Sequence, residues 1–479
     1  MTSQPLNSST QPTDVYGGES EFKAENFLDE VAAIIIDPGY SSVRAGFAGE
    51  DTPKSFLTSY YGITPDGRNL FGDDTIHNPL IGHEIQNPMS KEGIVENWDV
   101  ATQLWEYAIT SRLTSFKSAD PRNNGLNDDF KDANQDVEME GVEESEKLME
   151  EHPLLMTEPA WNSSKNREKS IEVAMESWGC PAFWLARNSV LAAFGAGKAT
   201  ALVVDIGAST ASAVAIHDGL ILKKSIQRSS SAGNWLSSQI RTLFAQQEPK
   251  ITITPHYMIA SKTSVDLNAP SQAIFRKYDK PHTDSFRAFE EERVITEFKE
   301  SIVQVWPGPD RLNNGSTNGT SNIDFLKSQP SRLFELPDGT NHMWGLERYS
   351  VAEGFYDEKA ALSLPDEVPS VKSQTLQDMV KSSLSGVDVD IRGALMQNIV
   401  VVGGTSLTQG LIERLENELK QIYPGVRIKI NAAGLISERK FSSWIGGSIL
   451  GSLGTFHQMW ISKKEYDEFG TGVVEKRCK

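Results

Sequence analysis

A chain of 479 residues with 38% apolar and 9% aromatic content can bury two substantial cores and reads as globular. Its 46 basic and 65 acidic side chains leave a formal charge of −19, which excludes a generic binder of the nucleic-acid backbone but not chromatin, whose histones are basic. Two cysteines, Cys180 and Cys478, cannot form a disulfide framework and point to a reducing compartment. The longest apolar run, Val31 to Ile36, is about a third of a membrane span. No secretory leader is expected, because no basic region precedes an apolar core near the N-terminus, and no Lys/Arg cluster reads as a nuclear import signal. The chain is therefore expected in the cytosol, or in the nucleus by way of a partner.

In chain order, residues 1–29 are polar and aperiodic and read as a flexible arm. Ala32 to Ala48, AAIIIDPGYSSVRAGFA, is a hairpin signal: an apolar run ending in Asp37, a turn at Gly39 and a return strand. Tyr60 to Pro88 is rich in Gly and Pro and reads as a small loop-rich unit. Asn97 caps a predicted helix whose Trp98, Ala101, Trp105, Ala108 and Ile109 recur at helical spacing. Residues 115–151 form an acidic insertion, with eleven acids against Lys131 and Lys147 between Asp128 and Glu151; it is expected to stay flexible and is a candidate docking strip for basic histone tails. A strand follows at Pro153 to Glu158, then predicted helices over Asn166 to Trp178 and Asn188 to Gly197.

Ala201 to Ile216, ALVVDIGASTASAVAI, repeats the first hairpin signal with Asp205 and Gly207 in place of Asp37 and Gly39. Residues 307–332, with NNGSTNGTSN, are expected to be a flexible surface loop whose sequons at Asn314 and Asn318 carry no weight without a leader; Glu335 to Thr340 is turn chemistry, and Leu364 to Ser373 resembles a linker. In the last quarter, Ile399 to Val402 is a strand, Gly403 and Gly404 a sharp turn, Leu411 to Ile422 a helix stopped by Pro424, and Val426 to Ile430 an alternating strand. Strands alternating with helices twice over imply an α/β architecture with mixed sheets. Two facing Asp-and-glycine hairpins, with a third glycine pair downstream, suggest a nucleotide held between two related domains, since glycine lets backbone N–H groups approach phosphate and the carboxylates can hold a hydrated divalent cation.

Residues 438–469, ERKFSSWIGGSILGSLGTFHQMWISKKEYDEF, closely resemble actin, and the likeness extends over Val31 to Lys479 apart from the insertions, through AGFAGEDTP at 45–53, GIVENWD at 93–99 and EEHPLLMTE at 150–158. The family is actin and the actin-related proteins; residues 155–164 and the SLGTFHQMW run lean toward its nuclear class, numbered four, a shared subunit of histone acetyltransferase and chromatin-remodelling assemblies. The resemblance implies an actin-like α/β fold of four subdomains around a nucleotide cleft: subdomain 1 from 30–58, 89–195 and 442–479, subdomain 2 from 59–88, subdomain 3 from 196–232 and 363–441, and subdomain 4 from 233–362.

It also implies sites. Asp37 and Asp205 would face the waters of Mg2+ or Ca2+; Gly39, Tyr40, Arg44, Gly207 and Ser209 would lie along the phosphates of ATP; Lys299 and Glu300 near the ribose; Gly233, Gly403, Gly404, Thr405 and Lys440 by the adenosine. The departures from actin are Tyr40 for a phosphate-loop Ser, Arg44 for a Lys, Ala208 for a second Asp, Ser212 for a His and Asn188 for a Gln. Shorter reach at 188 and 212 implies poorly placed water, and a misplacement of about 1 Å can cost about 100-fold in rate. Binding with slow or absent turnover is expected, with no catalytic residue. A slow ATPase that cycles in conformation, a cytoskeletal relative of another class and a vestigial cleft kept only for folding are the alternatives.

The family's partner groove falls on Phe194, Leu450, Leu453, Thr455 and Met459. The resemblance implies a helicase-SANT-associated helix in it, with actin alongside. Filament growth is not expected.

Overall fold

The computed structural model describes residues 32–113, 148–308, 310–313, 315–317, 320–364 and 374–479. The predicted arm, most of the acidic insertion, the two sequon asparagines and most of the linker-like stretch lie outside the described residues.

Two mixed six-stranded sheets share one local plan. In the first, strands β1 (Ile34–Pro38), β2 (Ser42–Phe47), β3 (Ser55–Thr58), β4 (Leu154–Glu158), β5 (Ala182–Arg187) and β12 (Ile461–Ser462) run in the order β12-β5-β4-β1-β2-β3. The second contains β6 (Ala201–Ile206), β7 (Ala211–His217), β8 (Leu220–Ile221), β9 (Gln227–Ser229), β10 (Ile399–Val402) and β11 (Ile430–Asn431), in the order β8-β7-β6-β10-β11 with β9 also on β7. In each, an antiparallel hairpin is extended by a parallel strand beside its first member: β4 beside β1, and β10 beside β6. Near-continuous apolar runs such as Ile34–Ile36 and Ile399–Val402 are buried, as strands covered on both faces must be.

Helix α1 (Trp98–Thr110) covers the first sheet, and the Asn97 side chain accepts from Val100 N as the sequence requires of an N-cap. Trp105 is buried and stands edge-on to both Trp98 and Trp178. Helix α2 (Asn188–Gly195) leads to the second sheet, where α3 (Gly233–Ala245) and α4 (Asp284–Ser301) pack. After the short α5 (Ile436–Lys440), α6 (Ser442–Gly451) returns to the first sheet and crosses α2 closely. Gly446 makes that crossing possible, since a Cβ there would stand 2.0 Å from the Leu191 carbonyl oxygen. Residues 61–86 form a separate three-stranded sheet, Asn69–Leu70, Tyr61–Ile63 and Glu84–Gln86 in that order.

Four expectations need correction. The acidic insertion ends before 151, because Met149 is fully buried and donates its N–H to Trp178 O at 2.9 Å. The segment 307–332 is not simply a loop: Ser321 caps a helix over Asn322–Lys327, and Leu312 and Leu326 are buried against Trp306. The helix predicted over 166–178 starts at Ser164, since Ser163 caps it, and widens into a π-turn over Val173–Ser177. Of the strand predicted over 426–430, only Ile430 and its neighbour Asn431 pair with β10.

Candidate functional site

The two hairpin turns face a common cleft of about 1470 Å³, larger than the roughly 300–1,000 Å³ of ordinary small-molecule pockets. Each turn closes in the same way: Gly39 N–H donates to Ser42 O at 3.0 Å, and Gly207 N–H to Thr210 O at 3.1 Å. Both aspartates are the penultimate residue of the first strand of their hairpin, and the registers set Asp37 opposite Arg44 and Asp205 opposite Ser212. The sequence repeat is thus a structural repeat.

The glycine positions are tightly enclosed. Gly403 has φ +91°, and a Cβ on it would meet Ile206 O at 2.4 Å and Asp205 Oδ1 at 2.5 Å. A Cβ on Gly233, at the start of α3, would stand 2.8 Å from Thr405 Oγ1. Gly233 and Asn234 spend their N–H groups on Gly207 O and Ala208 O, at 3.1 and 2.6 Å, and Thr405 Oγ1 donates to Gly207 O at 2.7 Å. The second turn is therefore clamped from behind, which leaves Ala208 and Ser209 on the cleft wall. Lys440 and Gly404 also line the cleft, and the Lys440 ammonium lies 4.0 Å from the exposed Glu300 carboxylate. Lys299 reaches the wall but its ammonium donates to Ser237 Oγ at 2.7 Å and Gly233 O at 3.3 Å; burial holds its pKa below the usual lysine value.

Electrostatics divide the two aspartates. Asp37 is buried, with Thr157 Oγ1 donating to Oδ1 and Arg44 Nη1 to Oδ2, the latter at 2.8 Å. Asp205 has no such partners among the described residues: burial first, and then the Asp37 charge, push its carboxyl up to about 6, with Arg44 opposing. Among the described residues no group of three His, Cys, Asp or Glu side chains could hold a metal. A divalent cation between the hairpins would therefore be held through its water shell rather than by direct ligation.

The departures read clearly. Tyr40 does not stand alone over the first turn; its ring meets Tyr60 edge-on at 6.1 Å, and Tyr60 stacks obliquely on Phe289 of α4 at 5.3 Å. The Asn188 side-chain oxygen accepts from Ser189 N at 2.7 Å, at the first residue of α2, and Ser212 is only 5% exposed.

Three features escaped the sequence reading. Thr157, 120 residues from Asp37, belongs to LLMTE, and its place at the end of the strand beside β1 was the available signal. Phe441, under the Arg44 guanidinium at 5.8 Å, is contiguous with the Lys440 motif. No sequence signal marks the clasp over the cleft mouth: His77 Nδ1 meets Glu290 Oε1 at 2.5 Å and stacks on Phe289 at 5.0 Å, Ser285 Oγ accepts from Ile85 N at 3.1 Å, His282 Nε2 lies 3.1 Å from Pro79 O, and Thr283 Oγ1 donates to His83 O.

Away from the cleft, Phe194, Leu453 and Met459 are 37%, 39% and 45% exposed, with Ile449 and Thr455 exposed beside them. Leu450 is half-buried and packs against the first core. These residues come from α2, α6, the 3-10 turn Gly454–Met459 and the Leu453 that precedes it, so all the predicted groove positions except Leu450 are exposed rather than core.

The cleft lies between two α/β halves that repeat one hairpin, and the chain belongs to the actin family, whose model matches residues 28–479. Within it the chain is like the actin-related protein 4 class. It is 54% identical to actin-related protein 4 of Gibberella zeae over 100% of both chains, and 52% identical to that of Neurospora crassa over 99% of both. It is also 34% identical, over 94% of its length and 100% of the other's, to a Schizosaccharomyces pombe protein named SWI/SNF and RSC complexes subunit arp42. The fold is accordingly the actin-like α/β fold.

Proposed function

We propose that this chain is a non-catalytic, ATP-binding subunit of nuclear chromatin-remodelling and histone acetyltransferase complexes. The carrying observation is the pairing of a two-hairpin cleft with an Asn188 whose side-chain oxygen is taken up by Ser189 N and a Ser212 that is only 5% exposed, a combination that favours holding a nucleotide over hydrolysing it. Asp37, Gly39, Tyr40, Arg44, Asp205, Gly207 and Ser209 surround the phosphates in this reading; Lys299 and Glu300 lie toward the ribose, and Gly233, Gly403, Gly404, Thr405 and Lys440 toward the adenosine. A ligand bound only by the folded state stabilises it by about 2.7 kcal/mol at a hundredfold excess over Kd, so ATP serves as a structural clamp between the halves. The name of the S. pombe relative supports membership of a chromatin complex and hence a nuclear location.

The apolar surface around Phe194, Leu453 and Met459 takes the helicase-SANT-associated helix of a scaffold, with actin on the same helix. The acidic insertion is the candidate contact for histones. Reconstitution with actin and a peptide of that helix tests the assembly role: size-exclusion chromatography with light scattering should give a ternary species for the native chain and none for Leu453→Glu. Self-assembly into filaments, or no binding by the native chain, would overturn it.

A further inference from the structure

The divalent cation expected between the hairpins does not suit the residues present. Both Asp37 oxygens are engaged, one by the Thr157 hydroxyl and one by the Arg44 guanidinium. The second turn offers the methyl of Ala208, and of the two hairpin carboxylates Asp205 is the one without a side-chain hydrogen bond among the described residues. Arg44 is built into this place. Cross-strand register sets it opposite Asp37, Nη2 reaches Ser42 Oγ at 3.3 Å, and the guanidinium lies over the Phe441 ring. Its side chain lines the cleft and remains partly exposed, so the guanidinium edge not taken by Asp37 and Ser42 can meet an anion there. A guanidinium stays charged and offers a planar fork matched to phosphate oxygens, where lysine offers a point charge.

We propose that Arg44 supplies at the phosphates the positive charge that a divalent cation would otherwise bring, so that this chain holds its nucleotide with little dependence on metal. The inference rests on the nucleotide-binding reading above. One guanidinium, paired with Asp37, leaves Asp205 as the carboxylate facing the phosphates.

The test is the affinity of the full chain for a fluorescent ATP analogue, by anisotropy, in Mg2+ and in EDTA, for the native protein, Arg44→Met and Arg44→Lys, each checked for folding by circular dichroism. Native affinity should change less than fivefold on chelation. Arg44→Met, which frees Asp37, should lose at least tenfold in EDTA and recover in Mg2+, with Arg44→Lys between. A native loss of a hundredfold in EDTA would overturn the proposal while leaving nucleotide binding intact, as would an equal loss by Arg44→Met in both buffers. Absence of binding in either buffer would overturn the nucleotide-binding reading itself.

Discussion

Phe289→Ala should unlock the cleft. The ring stands on α4 of one half and touches Tyr60 at 5.3 Å and His77 at 5.0 Å from the other half, so it is the centre of the clasp over the mouth. Ring pairs of this kind contribute about 0.5–1.5 kcal/mol each beyond their burial, so losing two removes about 1–3 kcal/mol from the closed state. At about 1.4 kcal/mol per factor of ten, nucleotide release should accelerate roughly 5- to 150-fold. The polar bonds of the clasp, Ile85 N to Ser285 Oγ and His77 to Glu290, remain and keep the change short of full opening. Preloading with a fluorescent ATP analogue and chasing with excess ATP in a stopped-flow instrument measures the rate. A rate within twofold of native, in a variant of unchanged melting temperature, would refute the idea that the clasp governs exchange.

Other consequences follow from single groups. Asp205 carries a folded pKa of about 6 against an ordinary 3.8, so the folded state binds the extra proton and its contribution to stability is greatest below pH 4 and lost as pH rises through 6. Asp205→Asn should therefore stabilise the nucleotide-free chain by up to about 3 kcal/mol at pH 7.5 and flatten the urea-unfolding profile between pH 4 and 6; an unchanged profile would contradict the burial argument. Arg414 is 1% exposed and bonds Glu353 Oε1 at 2.9 Å, Glu418 Oε1 at 2.7 Å and Trp306 O at 3.0 Å. Arg414→Ala should cost about 3–5 kcal/mol in denaturant unfolding, because it strands buried carboxylates. Met459→Glu, at a position 45% exposed, should change stability by less than about 0.5 kcal/mol while abolishing capture of the scaffold helix; a large loss of stability would mean that Met459 is core.

What the sequence made legible was local. Asp37, Gly39, Asp205 and Gly207 stood out because an apolar run, a carboxylate and a glycine within eight residues encode one hairpin, and the two copies fold alike. The groove positions were legible through family likeness, but their exposure was not: residue type cannot tell Leu450, half-buried, from Leu453 just past the helix end, which faces solvent. Contacts distant in sequence were invisible. Thr157 reaches Asp37 across 120 residues and His77 reaches Glu290 across 213, each brought there by sheet order and domain closure rather than by any motif. The segment 307–332 misled because its Asn, Gly and Ser dominate the composition, while the few residues that fix it, Leu312, Leu326 and the Trp306 they cover, are too sparse to show a period. Arg44 was read as a phosphate ligand; its bond to Asp37 emerged only from the cross-strand register.

The central claim is that this cleft holds ATP without turning it over. It is tested most directly by purifying the chain, loading it with γ-labelled ATP, and following released phosphate and the nucleotide recovered on denaturation over hours. Intact ATP recovered in equimolar amount, with no phosphate released, is the predicted result. Steady conversion to ADP would contradict the assignment made from Asn188 and Ser212, and a cleft recovered without nucleotide would contradict the clamp.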